Sequence, residues 1–183
     1  MLKWWFSLHG LGMKAKNWRS VERPYTRSDY IHGAPRSRIN RYAMGVYKED
    51  YTHELLLVAK EDMQIRDVSL ESARITADKY LSRKAGEGNY FLEIKAHPHH
   101  VLRENKMIFG AHADRLQEGM RRAFGKPVGR AAQVSSGEPV LRVLTYENWV
   151  QTAKEALELA SKKLPKNYTL TISKISEKKN IAA

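Results

Sequence analysis

Apolar and polar positions along this chain fall into short runs of two kinds. From His53 to Ala59 the run HELLLVA is nearly continuous in apolar residues and has charged residues on both sides, the pattern of a largely buried strand. Leu70, Ala73, Ala77, Tyr80 and Leu81 then recur at helical spacing on one face. They predict a helix capped by Ser69 and running to about Lys84, with Gly86 and Gly88 supplying the left-handed geometry that ends it. Between Asn89 and Lys95 the period changes to two, with Tyr90, Leu92 and Ile94 alternating against Phe91, Glu93 and Lys95, which predicts a strand. His100 to Arg103 is expected to continue that strand or to pair with it.

The same sequence of elements returns later in the chain. Pro139 to Leu144, PVLRVL, reads as a strand. Val150, Ala153, Leu157, Ala160 and Leu164 mark one face of a second helix, with Glu147 in its first turn, Lys162 and Lys163 in its last, and Pro165 as its stop. Tyr168 to Ile172, YTLTI, alternates again as a final strand. Strands in one sheet with two helices on one face make a two-layer α+β sandwich with a mainly antiparallel sheet. Both helical faces read as plain core.

Two stretches do not follow either period. Residues 14–45 hold Pro24, Gly33, Pro35 and Gly45 among frequent Arg and Tyr, and read as an extended, irregular arm. Residues 103–134 form an interruption of over thirty residues between apparent core elements, a length typical of functional or disordered insertions. The expected organisation is therefore an arm over 1–45, one core domain over 46–172 interrupted by a loop at 103–134, and a tail over 173–183. One core suits a chain of 183 residues.

Charge sharpens that division. The chain carries 32 Lys and Arg against 20 Asp and Glu, a net +12. Residues 14–41 contribute +6 and residues 103–134 contribute +4, while residues 42–102 and 135–172 together come to −1. Charge placed for solubility alone would be spread more evenly. A near-neutral folding unit with basic appendages implies a polyanionic partner. In the second appendage Gly110, Gly119, Gly125 and Gly129 let backbone approach a partner, interleaved Arg and Lys can bond phosphate oxygens, and Phe124 is placed either to stack on a base or to pack underneath.

Several other chemistries are excluded or disfavoured. With no cysteine there is no disulfide framework, thiolate metal site or cysteine nucleophile. The segment from Gly119 to Lys126 looks like a nucleotide-binding loop, but five residues separate its glycines instead of four, and Pro127 stands where Ser or Thr would hold magnesium. His97, His99, His100 and His112 lack metal-site spacing, so no metal or other cofactor is expected. Asp114 and Glu118 sit among Arg115, Arg121 and Arg122, where ion pairing explains them more simply than acid–base catalysis. No small-molecule substrate or enzymatic activity is expected. The apolar start, MLKWWFSLHGLGM, is too short to span a bilayer and is interrupted by His9. It is read as a frayed extension or a start misplaced upstream of Met13, with a signal peptide or interfacial anchor as the other options and no membrane partner expected. The end, SEKKNIAA, is expected to fray.

Two long strings carry a resemblance. RPYTRSDYIHGAPRSRI, from Arg23 to Ile39, resembles the N-terminal signature of the L10e family, archaeal and eukaryotic large-subunit ribosomal proteins that are counterparts of bacterial L16. HVLRENKMIFGAHADRLQEGMRRAFGKPVGRAAQV, from His100 to Val134, resembles the central block of that family, and the likeness spans roughly residues 20–172 in the same order. The resemblance implies a two-layer α+β core on large-subunit RNA below the central protuberance, near the elbow of aminoacyl-site tRNA. It also implies a central loop reaching toward the peptidyl-transferase region.

By position, Arg23, Tyr25, Arg27, Arg36, Arg38 and Arg41 then fall on the arm against ribosomal RNA, with Arg121, Arg122, Lys126 and Arg130 on a flanking RNA-facing segment. Arg103, Asn105, Lys106, Met107, Asp114 and Arg115 fall on the loop near the tRNA acceptor end. Large-subunit ribosomal RNA, tRNA and neighbouring ribosomal proteins are the implied partners, and a cytoplasmic ribosome the implied place. The first eighteen residues depart from the usual short start of the family, and the lack of a longer C-terminal tail favours the archaeal type. From the residues alone, a free RNA chaperone or an RNA-processing factor stays open beside the ribosomal reading.

Overall fold

The computed structural model describes residues 31–105 and 124–175. In chain order these residues form β1 (Ala43–Gly45), β2 (His53–Ala59), β3 (Met63–Arg66), α1 (Asp67–Lys84), β4 (Tyr90–Ile94), β5 (His100–Glu104), β6 (Lys126–Val134), β7 (Pro139–Thr145), α2 (Val150–Ser161) and β8 (Tyr168–Lys174). The class is α+β, with every strand pairing antiparallel.

The strands divide into two sheets where the sequence suggested one. The larger has the order β1-β4-β7-β2-β8 and the smaller the order β3-β6-β5. In the larger sheet Leu55, Leu57, Leu92, Ile94, Leu141 and Val143 join one hydrophobic cluster with Leu70, Ala73, Ala77 and Leu81 of α1 and Ala153, Ala156, Leu157 and Ala160 of α2. Register explains the shared face, because Val143 lies opposite both Leu55 and Leu92, and Leu141 opposite both Leu57 and Ile94. Directly paired residues of neighbouring strands point to the same side, so one face of the sheet is apolar and carries both helices.

The opposite face of the same sheet holds a chain of charges. Arg142 Nε lies 2.9 Å from Glu54 Oε1 and Arg142 Nη1 3.4 Å from Glu93 Oε2, while Lys95 Nζ lies 2.9 Å from Glu93 Oε2. Antiparallel alternation thus separates apolar from charged residues within single strands.

Several expectations need correction. The first helix begins at Asp67, with Arg66 at the capping position and no side-chain cap, so Ser69 lies inside the first turn. Asp67 instead accepts the Val68 amide through Oδ1 at 2.8 Å, placing a negative charge at the positive end of the helix. The helix ends as foreseen, with Ala85 bonded back to Leu81 and Gly86 at φ +79. The second helix stops at Ser161, four residues before Pro165, and Glu147 belongs to a 3-10 turn ahead of it.

The larger corrections concern the second sheet. His100–Glu104 neither continues nor pairs with β4; it pairs with β6, in the other sheet. β6 occupies residues 126–134, inside the stretch read as a loop. Gly129, Pro127 and the flanking basic residues concealed it, since they break the period-two pattern. A register irregularity between Leu102 and Arg103 accommodates that composition.

The arm also meets the core. Ala43–Gly45 forms the edge strand of the larger sheet, and Ile39 and Met44 belong to the hydrophobic cluster. Gly45 closes this strand at φ +80, and a Cβ there would lie 2.2 Å from the Tyr90 carbonyl oxygen. Both the left-handed backbone and the close approach demand glycine. Gly45→Ala is therefore expected to cost about 2 kcal/mol or more of unfolding free energy. Denaturant titration of the two proteins measures it; a cost near zero would mean that β1 does not pair with β4 in solution.

Candidate nucleic-acid interface

The basic side chains that the sequence singles out are placed by two backbone devices. The first is the path of residues 35–44. Arg38 donates its amide to Asp67 Oδ2 at 3.1 Å, and the Ile94 amide donates to the Tyr42 carbonyl at 2.8 Å. Ile39 and Met44 point into the core, while Arg36, Arg38 and Arg41 are exposed. Pinned backbone and outward guanidinium groups therefore coexist within a few residues.

The second device is the neck formed by β5 and β6. Arg103 lies opposite Pro127 and Glu104 opposite Lys126, which brings the two ends of the 105–125 segment together. At Gly125 a Cβ would meet the backbone of Glu104 and Asn105 at 2.6 to 2.8 Å, so only glycine lets the neck close. Beside it the Arg103 guanidinium sits 4.0 Å from the centroid of Phe124, a cation–π contact on a ring that is 60% exposed. Phe124 is thus a surface ring backed by an arginine.

Arg130 joins the two devices. It lies on β6 opposite Val101, and its Nε donates to the Pro35 carbonyl at 2.7 Å. Segments 95 residues apart in the chain are in direct contact here.

Electrostatics separates this region from the rest. Residues 42–102 and 135–172 sum to −1, and within them several cations are matched to carboxylates: Arg74 with Glu71, Arg142 with Glu54 and Glu93, Lys84 with Glu155, and Lys166 with Glu61. Among the described residues, Arg36, Arg38, Arg41 and Lys126 take part in no ion pair. Beyond the N-terminal end of β2, by contrast, a cavity of about 420 Å³ is lined by Glu49, Asp50 and Glu147 with Lys174. A polyanion is favoured on the first surface and opposed at the second.

Among the described residues no histidines gather with other metal-ligating groups, and His112 lies outside the described residues. His97 is exposed and its ring lies 4.7 Å from that of Tyr42, while His99 is exposed with Nδ1 3.1 Å from the His97 carbonyl. His100 is buried, and burial, aided by the charges of His99 and Arg103, pushes its pKa down.

Of the residues predicted for RNA or tRNA contact, Arg36, Arg38, Arg41, Arg103, Asn105, Lys126 and Arg130 are described. The structure groups them into the arm and the neck, with Arg130 bridging. Arg23, Tyr25, Arg27, Lys106, Met107, Asp114, Arg115, Arg121 and Arg122 lie outside the described residues, as does Glu118. Sequence reasoning passed over Asp67, Glu71 and Arg74, because the helix was read only for its apolar stripe. Their spacing of four and three residues, beside that stripe, was the available signal.

Comparisons with known proteins give the chain a family. A profile of the family described as ribosomal protein L16p/L10e matches residues 20–171. The chain belongs to the ribosomal protein L16p/L10e family. Among its relatives, a protein named large ribosomal subunit protein uL16 from Archaeoglobus fulgidus is 49% identical over 160 residues, 87% of this chain and 92% of the relative. Proteins of the same name from Staphylothermus marinus and Methanococcus aeolicus are 53% identical over 142 residues (78% of this chain, 82% of the relative) and 43% identical over 164 residues (89% and 95%). In this member of the L16p/L10e family, the profile takes in both the arm and the β5–β6 neck.

One ionisable pair beneath the arm makes a pH prediction. The Arg74 side chain, which contacts Glu71 at 2.6 and 2.8 Å, holds the Glu71 carboxyl below its ordinary range, against the opposing effect of burial. A carboxyl with a depressed folded pKa adds stability that is full above its unfolded value, about 4.3, and is lost as pH falls through the lower folded value. Glu71→Gln is therefore expected to flatten the acid limb of the stability curve below about pH 4.5. Unfolding free energies from pH 2 to 7 for both proteins give the comparison, and parallel acid limbs would remove Glu71 from that role.

Proposed function

We propose that the protein is a structural constituent of the large ribosomal subunit, binding large-subunit ribosomal RNA near the tRNA-binding cleft and helping to position tRNA. The observation that carries this reading is the 2.7 Å hydrogen bond from Arg130 to the Pro35 carbonyl. It brings the described part of the first basic segment, with Arg36, Arg38 and Arg41, against the described part of the second, with Arg103, Lys126 and Arg130. Membership of a ribosomal protein family and relatives named as large-subunit proteins support it.

On this reading Arg36, Arg38, Arg41, Lys126 and Arg130 form the described part of the RNA contact, continued along the chain by Arg23, Tyr25, Arg27, Arg121 and Arg122. The neck at Arg103 and Asn105 holds the base of a loop that carries Lys106, Met107, Asp114 and Arg115 toward tRNA. Neighbouring ribosomal proteins are further partners, and the cytoplasmic ribosome is the place of action. The side chains do no chemistry here. They neutralise phosphates and fix RNA geometry, while the core keeps the contacts in register.

Each phosphate neutralised by a cation releases counterions, so binding falls with salt in proportion to the number of phosphates engaged. Arg36→Ala together with Arg38→Ala is expected to weaken binding to protein-free large-subunit ribosomal RNA and to reduce the salt slope by roughly 0.7 to 0.9 for each phosphate no longer neutralised. Affinities measured from low to high salt test this. An unchanged slope would remove the arm from the RNA interface, and release of the wild-type protein from large subunits by a high-salt wash would favour a transient RNA chaperone instead.

A further inference from the structure

We propose that Asp67, Glu71 and Arg74 of α1 are positioning residues for RNA binding: they hold residues 38–44 of the arm in place, so that Arg36 and Arg38 meet RNA already ordered. The inference rests on the RNA-binding reading of the arm given above.

The three residues lie along one side of α1, and the arm passes them in the same order. Asp67 Oδ2 accepts the Arg38 amide at 3.1 Å, the Glu71 carboxylate accepts the Asn40 amide, and Arg74 Nη1 donates to Met44 Sδ. Asp67 is only 3% exposed, and its other oxygen is taken by the Val68 amide. A buried carboxylate is costly unless backbone donors satisfy it, and here one of its two donors comes from the arm. Fixing the arm therefore also settles the hydrogen bonding of a residue at the start of the helix.

Two arguments link this to RNA rather than to stability alone. An arm that ordered only on contact would give up part of its binding energy to conformational entropy, and preorganisation avoids that loss. The second argument is one of sign. Carboxylates directly beneath a polyanion-binding segment oppose binding by simple electrostatics. Removing one should then tighten RNA binding if charge is all that matters, and weaken it if the carboxylate acts by holding the arm.

The test uses the full chain and protein-free large-subunit ribosomal RNA, with affinities measured across a salt series for Asp67→Ala, for the Arg36→Ala/Arg38→Ala pair, and for all three changes together. Asp67→Asn, which keeps the side-chain volume and one acceptor, stands in should Asp67→Ala not fold. Glu155→Gln, at the α1–α2 contact with Tyr80 and Lys84, controls for general loosening of the helix.

We expect Asp67→Ala to bind about fivefold more weakly and with a shallower salt slope, in line with the cost of ordering one or two side chains at an interface. Little further weakening is expected once Arg36 and Arg38 are gone, because the carboxylate acts through them. Amide hydrogen exchange at Arg38 and Asn40 should rise in the free Asp67 variants and stay unchanged in Glu155→Gln. Tighter or unchanged binding by Asp67→Ala, or a weakening that simply adds to that of the arginine pair, overturns the inference while leaving the arm as an RNA contact. Wild-type binding by the Arg36→Ala/Arg38→Ala protein would instead overturn the RNA reading of the arm and this role with it.

Discussion

Two helices can share one face of a narrow sheet only if the surfaces between them are small. Here α1 brings Ala73 and Ala77, and α2 brings Ala153, Ala156 and Ala160, and all five are fully buried. Cores are close-packed, so a longer side chain at any of these positions would have to push a helix outward or leave its rotamer well. Small residues buried on both helices let the helical layer pack close against the sheet, and so bear on the height at which the first turn of α1 stands above it. Everything that α1 holds at its N-terminal end depends on that height.

What it holds is the join between core and arm. Met63–Arg66 runs straight into Asp67, so the smaller sheet and α1 are one continuous piece of backbone. β6 pairs with β3 on one side and β5 on the other, and Arg130 extends from it to Pro35. The neck of the central segment and the root of the arm are therefore both referred to the same strand, β6. Displacing α1 would move both, whereas lengthening the chain between residues 105 and 124 would leave the neck where it is.

The division between what was legible in the sequence and what was not follows from how each element is stabilised. β2, β4, β7 and the apolar stripes of both helices bury hydrophobic residues, β8 rests Tyr168 and Leu170 partly buried on the same core, and the pattern displays them directly. β6 did not show, because it draws its stability from two neighbouring strands while carrying Lys126, Pro127, Gly129 and Arg130, residues that interrupt any apolar alternation. β1 did not show because three residues are too few to display a period. The start of α1 lies three residues before the expected one because Ser69 is a good cap by type, yet Arg66 takes the capping position and Asp67 fills the dipole role from inside the helix. For the basic surface, composition identified the two segments but not their contact, which depends on a hydrogen bond between residues 95 apart in the chain.

The placement of ion pairs accounts for how such a surface is tolerated. Unpaired cations held side by side repel, and the repulsion is borne by the folded state until a polyanion arrives. The core adds little net charge to it: Glu54, Arg142, Glu93 and Lys95 neutralise one another on the second face of the larger sheet, and Glu71 and Arg74 do so beneath the arm. Their effect here is on the field, since they leave a neutral body against which the arm and neck are the dominant positive feature. A core with a large positive charge of its own would draw a polyanion to every side, so the near-zero net charge of residues 42–102 and 135–172 is what leaves the arm and neck as the preferred surface.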